Sequence, residues 1–232
     1  MERFLRTKGL IGDDNLRVLQ NSTIAVFGLG GVGSYAAEAL ARSGVGTIYI
    51  YDNDTVSKSN INRQLIALSS TVGRLKTEVL KERLLDINPR LKVFDFAEFI
   101  TPESDIPFEK FDFMIDAIDN VTAKLFIAEK SEALSIPLIS VMGTGNKLCP
   151  EKLTISDIGK THSCPLCKVM RYELKKRDVK HLTVVWSDEE PHKNLQEEEK
   201  TACGRNAVSS MAFVPGTAGL MAASFVIRKL TE

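Results

Sequence analysis

Polar residues of a few chemical types recur at one kind of place in this chain, just after an apolar run. Gly28-Leu29-Gly30-Gly31-Val32-Gly33 follows Thr23 to Phe27, and Asp52 and Asp54 follow Thr47 to Tyr51. Asn60, Arg63 and Gln64 lie in the polar segment beyond, Lys76 comes next, and Asp119 with Asn120 follows the apolar run Phe111 to Ile118. A glycine turn entering a helix lets a phosphate approach the backbone, and the first N–H groups and the helix dipole favour an anion. Asp52 stands at about the spacing where a carboxylate meets a ribose hydroxyl. Arg63 and Lys76 can neutralise phosphate charge. Asp119 can hold magnesium, which binds few carboxylates and completes its shell with phosphate oxygens. Two cations and further acids near one glycine loop suit a triphosphate better than a dinucleotide, because hydride transfer gains little from Arg63 and Lys76. Each residue also has a plainer reading. The glycines could merely allow close packing, Asp52 and Asp119 could cap strand ends, and Lys76 could be a solvated helix residue.

These residues need a scaffold that gathers strand ends. Thr23 to Phe27 and Thr47 to Tyr51 predict buried strands flanking an alanine-rich helix that runs to Ser43. Apolar residues near helical spacing predict a helix over Thr71 to Ile87, ended by Asn88-Pro89. Alternation predicts a strand over Leu91 to Phe99. A strand over Phe111 to Ile118, a helix over Val121 to Leu134 and a strand over Pro137 to Met142 follow, with a turn at 143–146. Strands alternating with helices imply an α/β, Rossmann-like, doubly wound and mostly parallel sheet with helices on both faces. Ligands bind such sheets at the C-terminal ends of the strands.

The pattern weakens after Leu148. The reading there is a short strand at Leu153 to Ile155, a basic helix from Cys164-Pro165-Leu166-Cys167 through Arg177, and a strand over His181 to Trp186. Ser187 to Thr201 is charged and predicts a mobile loop; a last buried helix begins near Pro215. This divides the chain into a nucleotide-binding part, 1–147, and an extension, 148–232, in one continuous unit.

Thirty basic and thirty acidic side chains cancel, so no global basicity announces nucleic acid. Four cysteines and an N-terminus without an apolar core of the signal-peptide kind point to a reducing, cytoplasmic setting. The apolar stretch Met211 to Ile227 contains Pro215, Gly216 and Gly219, and reads as a buried helix rather than a membrane span.

Gly-x-Gly-Gly-x-Gly, Asp-x-Asp, Asn-x-x-Arg-Gln, a lysine and Asp-Ala-x-Asp-Asn, in that order, resemble the E1-like adenylating family. The resemblance implies ATP with magnesium and transfer of AMP to a carboxylate. It gives Gly28, Gly30, Gly31 and Gly33 to the phosphate loop and Asp52 to the ribose. Asn60, Arg63 and Lys76 go to the phosphates, and Asp119 to magnesium. Arg3-Phe4-Leu5-Arg6 resembles the family's N-terminal arginine segment, in which the second arginine, here Arg6, reaches the ATP of a neighbouring subunit. A homodimer is implied.

Val184-Val185-Trp186-Ser187-Asp188-Glu189-Glu190-Pro191 and Phe213-Val214-Pro215-Gly216-Thr217-Ala218-Gly219-Leu220 are similar to segments of one branch, as is Pro165-Leu166 with its basic helix. Members of that branch use ATP to cyclise the threonylcarbamoyl side chain on adenosine 37 of certain tRNAs. The resemblance therefore implies a tRNA substrate, with Lys175, Lys176, Arg177, Lys180 and His181 as candidates for its backbone. It leaves room for a bound monovalent cation and a sulfurtransferase partner. The alternative within the family is adenylation of the C-terminal glycine of a ubiquitin-like sulfur carrier. Cys164-x-x-Cys167 resembles half of the zinc site of those activators, but Cys149 and Cys203 form no second pair, so zinc is not expected. The cysteines read as plain thiols, with a redox pair and a reactive Cys203 as other readings.

Overall fold

The computed structural model describes residues 2–195 and 208–232. Seven strands form one sheet in the order β3-β2-β1-β4-β5-β7-β6. They are β1 (Thr23–Phe27), β2 (Thr47–Tyr51), β3 (Lys92–Phe96), β4 (Phe113–Asp116), β5 (Leu138–Val141), β6 (Leu153–Asp157) and β7 (Thr183–Ser187). All neighbours pair in parallel except β6 with β7. β1, β2, β4 and β5 are apolar along most of their length because helices cover both faces.

One face carries α2 (Gly33–Ser43), α3 (Lys76–Ile87) and α6 (Phe213–Thr231). Small residues let α6 lie close to α2, with Ala36, Ala37, Ala218 and Ala222 all sealed from solvent. The other face carries α4 (Val121–Leu134) and α5 (Pro165–Lys176) over an aromatic layer. Phe27 stacks on Tyr51 at 4.9 Å and Tyr51 on Phe96 at 4.7 Å. The N-terminal α1 (Leu5–Asn21) is interrupted at Gly12. Among the described residues no helix is long and apolar enough to cross a membrane. α6 instead buries Val214, Ala218, Ala222 and Val226 against the sheet.

Several elements are shorter than the sequence predicts. α3 starts at Lys76, not Thr71, because 71–75 is a hydrogen-bonded turn. Thr71 Oγ1 donates to Ile66 O at 2.7 Å, and Gly73 N–H donates to Val56 O at 2.8 Å. β3 stops at Phe96 and β4 at Asp116, so Glu98–Ile100 and Asp119 lie in loops at the rim. The charged segment after β7 departs from the predicted mobile loop where it is described. Glu189 is buried and accepts the N–H groups of Leu148 and Cys149, each at 2.9 Å. Those two donors and His192 hold its carboxyl below the ordinary range, although burial works the other way. The rest of that predicted loop, 196–201, lies outside the described residues, as does Cys203.

Candidate active site

The strand order reverses between β1 and β4, and a polar cavity opens at the C-terminal ends of the strands there. Its volume is about 550 Å³. The place follows from topology: connections from adjacent strands leave to opposite faces and a crevice remains between them.

The glycine loop forms one wall, and its glycines do different work. Gly28 has φ +84°, and a Cβ there would stand 2.7 Å from Ala117 O. A Cβ on Gly33 would lie 1.8 Å from Gly28 O. Both keep β1, β4 and the start of α2 in contact. Gly33 does not line the cavity, whereas Gly30 and Gly31 do. The N–H groups of Gly30, Gly31 and Val32 take no partner among the described residues. They are free donors at a helix N-terminus.

Asp52 sits at the end of β2 with its side chain almost closed to solvent. It accepts Leu29 N–H at 2.7 Å and Asp54 N–H at 2.8 Å. Burial pushes its pKa above the ordinary carboxylate value, against the pull of Lys76 and the two N–H donors. Lys76, buried at the first turn of α3, places Nζ 2.6 Å from Asp54 Oδ2 and 3.6 Å from Asp52 Oδ1. Its late helix start creates this geometry, since Lys76 N–H donates to Asp54 O and directs the first turn at the rim.

Arg63 faces the same cavity and donates only to uncharged oxygens, Ser59 O at 2.8 Å and Asn62 Oδ1 at 3.0 Å. Among the described residues no carboxylate neutralises it. Asn60 lines the cavity while its Oδ1 accepts Ser57 N–H at 3.1 Å. Gln64 is buried, and among the described residues neither its Oε1 nor the buried Tyr51 hydroxyl has a hydrogen-bond partner. Both residues line the cavity, so polar ligand groups could satisfy them. Asp119 is exposed on the cavity lining and makes no ion pair or hydrogen bond among the described residues.

Two of the assigned residues stand outside this cavity. Asn120 does not line the cavity, because its Oδ1 caps α4 by accepting Ala123 N–H at 3.1 Å. Arg6, which the resemblance assigns to a neighbouring subunit's ATP, is exposed on α1 and does not line this chain's own cavity. Other lining residues escaped the sequence reading. Glu98, Phe99 and Ile100 reach the rim because β3 ends early, and ending that strand at Phe96 would have exposed them to the strand-end rule. Met142, read as the end of a strand, and Gly143 to Gly145, read only as a turn, follow β5 and line the cavity. Val208 and Ser210 close it from above; Asn146 and Ser209 bond to each other there, as do Asn62 and Ser210 O.

Directly beneath lies a polar cluster of another kind. Asp116 and Lys124 are fully buried and paired at 3.0 Å. Ser140 Oγ donates to Asp116 Oδ2 at 2.5 Å, and Lys124 Nζ donates to Val141 O at 2.8 Å.

Free N–H groups, an uncompensated arginine, a lysine against two acids and orphaned polar atoms together suit a ligand rich in anionic oxygens with a ribose and a base. ATP fits that donor set. Comparison with known proteins agrees. The model of the ThiF family matches residues 3–232. The tRNA threonylcarbamoyladenosine dehydratase of Bacillus subtilis is 43% identical, over 100% of this chain and 96% of that protein. The crystal structure of Escherichia coli tRNA N6-threonylcarbamoyladenosine dehydratase in complex with ATP superposes with a TM-score of 0.90. It is 33% identical, with 99% of this chain and 93% of that one covered. The AMP complex of the same enzyme gives a TM-score of 0.90 at 32% identity, covering 99% and 94%.

Proposed function

Because this chain belongs to the ThiF family, we propose that its rim cavity binds ATP and uses it to activate a carboxylate. The carboxylate is that of N6-threonylcarbamoyladenosine in tRNA, which the enzyme then cyclises with net loss of water. The observation that carries the reading is the convergence of the free Gly30, Gly31 and Val32 N–H groups with Arg63 and Lys76 on one cavity. The names of the Bacillus subtilis and Escherichia coli relatives support the choice of substrate.

The substrate carboxylate attacks the α-phosphorus of ATP and the bond to pyrophosphate breaks. Arg63 and Lys76 offset the charge that shifts onto the leaving phosphates. Asp52 accepts from the ribose hydroxyls. Asp119 and Asp54 are hard oxygen donors that would hold magnesium, which neutralises phosphate charge when bound. The carbamoyl group then attacks the activated carbonyl carbon of the same molecule. The bond to AMP breaks, a carbamoyl proton leaves to solvent, and the ring is closed. The second step is intramolecular, so its effective concentration is high. No protein nucleophile is required.

α5 starts beside the cavity at Leu166 and carries Lys175 and Lys176 outward to Lys180 and His181, all exposed. Lys175 and Lys180 suit tRNA phosphates best, because Glu173 engages Lys176, Asp157 meets His181, and Glu173 and Glu129 engage Arg177. Arg6, exposed and without an acidic partner among the described residues, is proposed to reach the phosphates of a neighbouring subunit in a homodimer. Purified protein with ATP, magnesium and tRNA bearing the open modification should yield AMP and a nucleoside lighter by one water. AMP formed only with a protein ending in Gly-Gly would replace this reading with sulfur-carrier activation.

A further inference from the structure

Cys164 and Cys167 take no part in the chemistry above, yet they flank Leu166, which lines the cavity. Cys164 is the N-cap of α5, Pro165 opens the helix, and Cys167 follows one turn on. Both are buried. A Cβ on Gly143 would stand 3.9 Å from Cys164 Sγ, and Gly143 and Leu166 both line the cavity. Among the described residues no third metal-binding side chain joins the pair.

We propose that Cys164 and Cys167 form a reversible intramolecular disulfide in the wall of the nucleotide cavity, and that bound nucleotide favours the dithiol. The groups facing the pair act on the two thiols in opposite directions. The Cys167 thiol, then Lys147, hold Cys164 below the ordinary thiol range, while Cys164 and burial push Cys167 above it. Thr161 and Arg171 face Cys167 from the other side and oppose that rise. Cys164, at the helix N-cap and against the cavity-lining Gly143, is the attacking thiol, and Cys167, fully closed to solvent one turn on, is the resolving thiol.

The oxidant is a low-molecular-weight disulfide. Cys164 Sγ attacks one of its sulfurs, the reagent S–S bond breaks, and one reagent thiolate leaves and is protonated. Cys167 then loses its proton and attacks Cys164 Sγ, which expels the second thiolate. Two protein thiols are oxidised and one disulfide is reduced to two thiols. Cys164 is an extended N-cap (φ −92°, ψ 117°), and a disulfide to Cys167 would fix how the chain enters α5. Leu166 lies within the ring that the link closes and Gly143 packs against Cys164, so both would be shifted at the wall. A ligand fitted to the dithiol wall thus resists closure, and by reciprocity the disulfide form binds that ligand more weakly.

The link itself does not depend on the proposed reaction; only the nucleotide effect rests on the ATP reading. The full-length protein is equilibrated with graded ratios of oxidised to reduced glutathione, with and without ATP, and mapped by mass spectrometry. The expected product has lost two hydrogens and joins Cys164 to Cys167. Cys167→Ser should stop at a glutathione adduct on Cys164, and Cys149→Ser should still form the link. Saturating ATP should raise the glutathione ratio needed for half oxidation several-fold. A stable adduct on the wild-type protein, or a link made through Cys149 or Cys203, would overturn the pair. A link whose midpoint ignores ATP, in protein that binds ATP, would overturn the coupling.

Discussion

Two acid–lysine clusters lie at the ends of strands on either side of β1 and solve different problems. Asp116 and Lys124 are sealed, and Ser140, Val141 O and Ile118 N–H complete their hydrogen bonding. Lys76 meets Asp52 and Asp54 at the cavity, where Asp54 keeps over half its side chain exposed. The sealed cluster has spent its bonding capacity on itself. The open one leaves charge facing a space with free N–H groups, an uncompensated Arg63 and the orphaned Gln64 Oε1. Incomplete satisfaction, rather than the presence of charge, marks the place where a ligand belongs.

The largest effect should come from unbalancing the sealed pair. Lys124→Met leaves a buried carboxylate without its cation and should cost about 3–5 kcal/mol in denaturant unfolding. Adding Asp116→Asn should restore much of it.

At the open cluster the expected loss is catalytic. Lys76→Met or Arg63→Ala should slow AMP formation by about 10²–10³-fold. Arg63→Ala should leave stability within about 0.5 kcal/mol, and Lys76→Met should lower it by about 1–3 kcal/mol through the weakened support of Asp52. A stability loss in Lys76→Met as large as that in Lys124→Met would erase the contrast.

Asn120→Ala separates capping from ligand binding. It should cost about 1 kcal/mol of stability and leave ATP affinity unchanged by calorimetry.

The smallest effect sets the scale for an acid with neither role. Glu38 joins α2 to α3 through Arg83, at 2.5 Å, and also holds Arg42 at 2.7 Å. Burial raises its pKa, but the two arginines win and hold it below the ordinary 4.5. Its stabilisation is therefore present above about pH 4.5 and fades as pH falls through the lowered value. Glu38→Gln should cost less than about 1 kcal/mol at neutral pH, and the difference from wild type should vanish in acid unfolding.

Much of this layout was legible in the sequence because parallel strands covered on both faces are written as apolar runs, and the polar residues after them mark the rim. That logic located Asp52, Arg63, Gln64 and Lys76. It failed where one residue type serves two ends. Asn120 reads as a ligand contact beside Asp119, but an asparagine preceding a helix is first a cap. Lys124 reads as one more helix cation, and only the register of β4 beside β5 brings Asp116, Ser140 and Lys124 together. Glu98 and Phe99 were hidden by a strand pattern that outran the strand.

The central claim is that ATP activates a carboxyl group by forming an acyl-adenylate. Substrate tRNA carrying a heavy oxygen isotope in the threonyl carboxylate tests it most directly. Ring closure should leave one labelled oxygen on the phosphate of AMP for each ring formed. Label released into water, or into inorganic phosphate with ADP, would contradict the account.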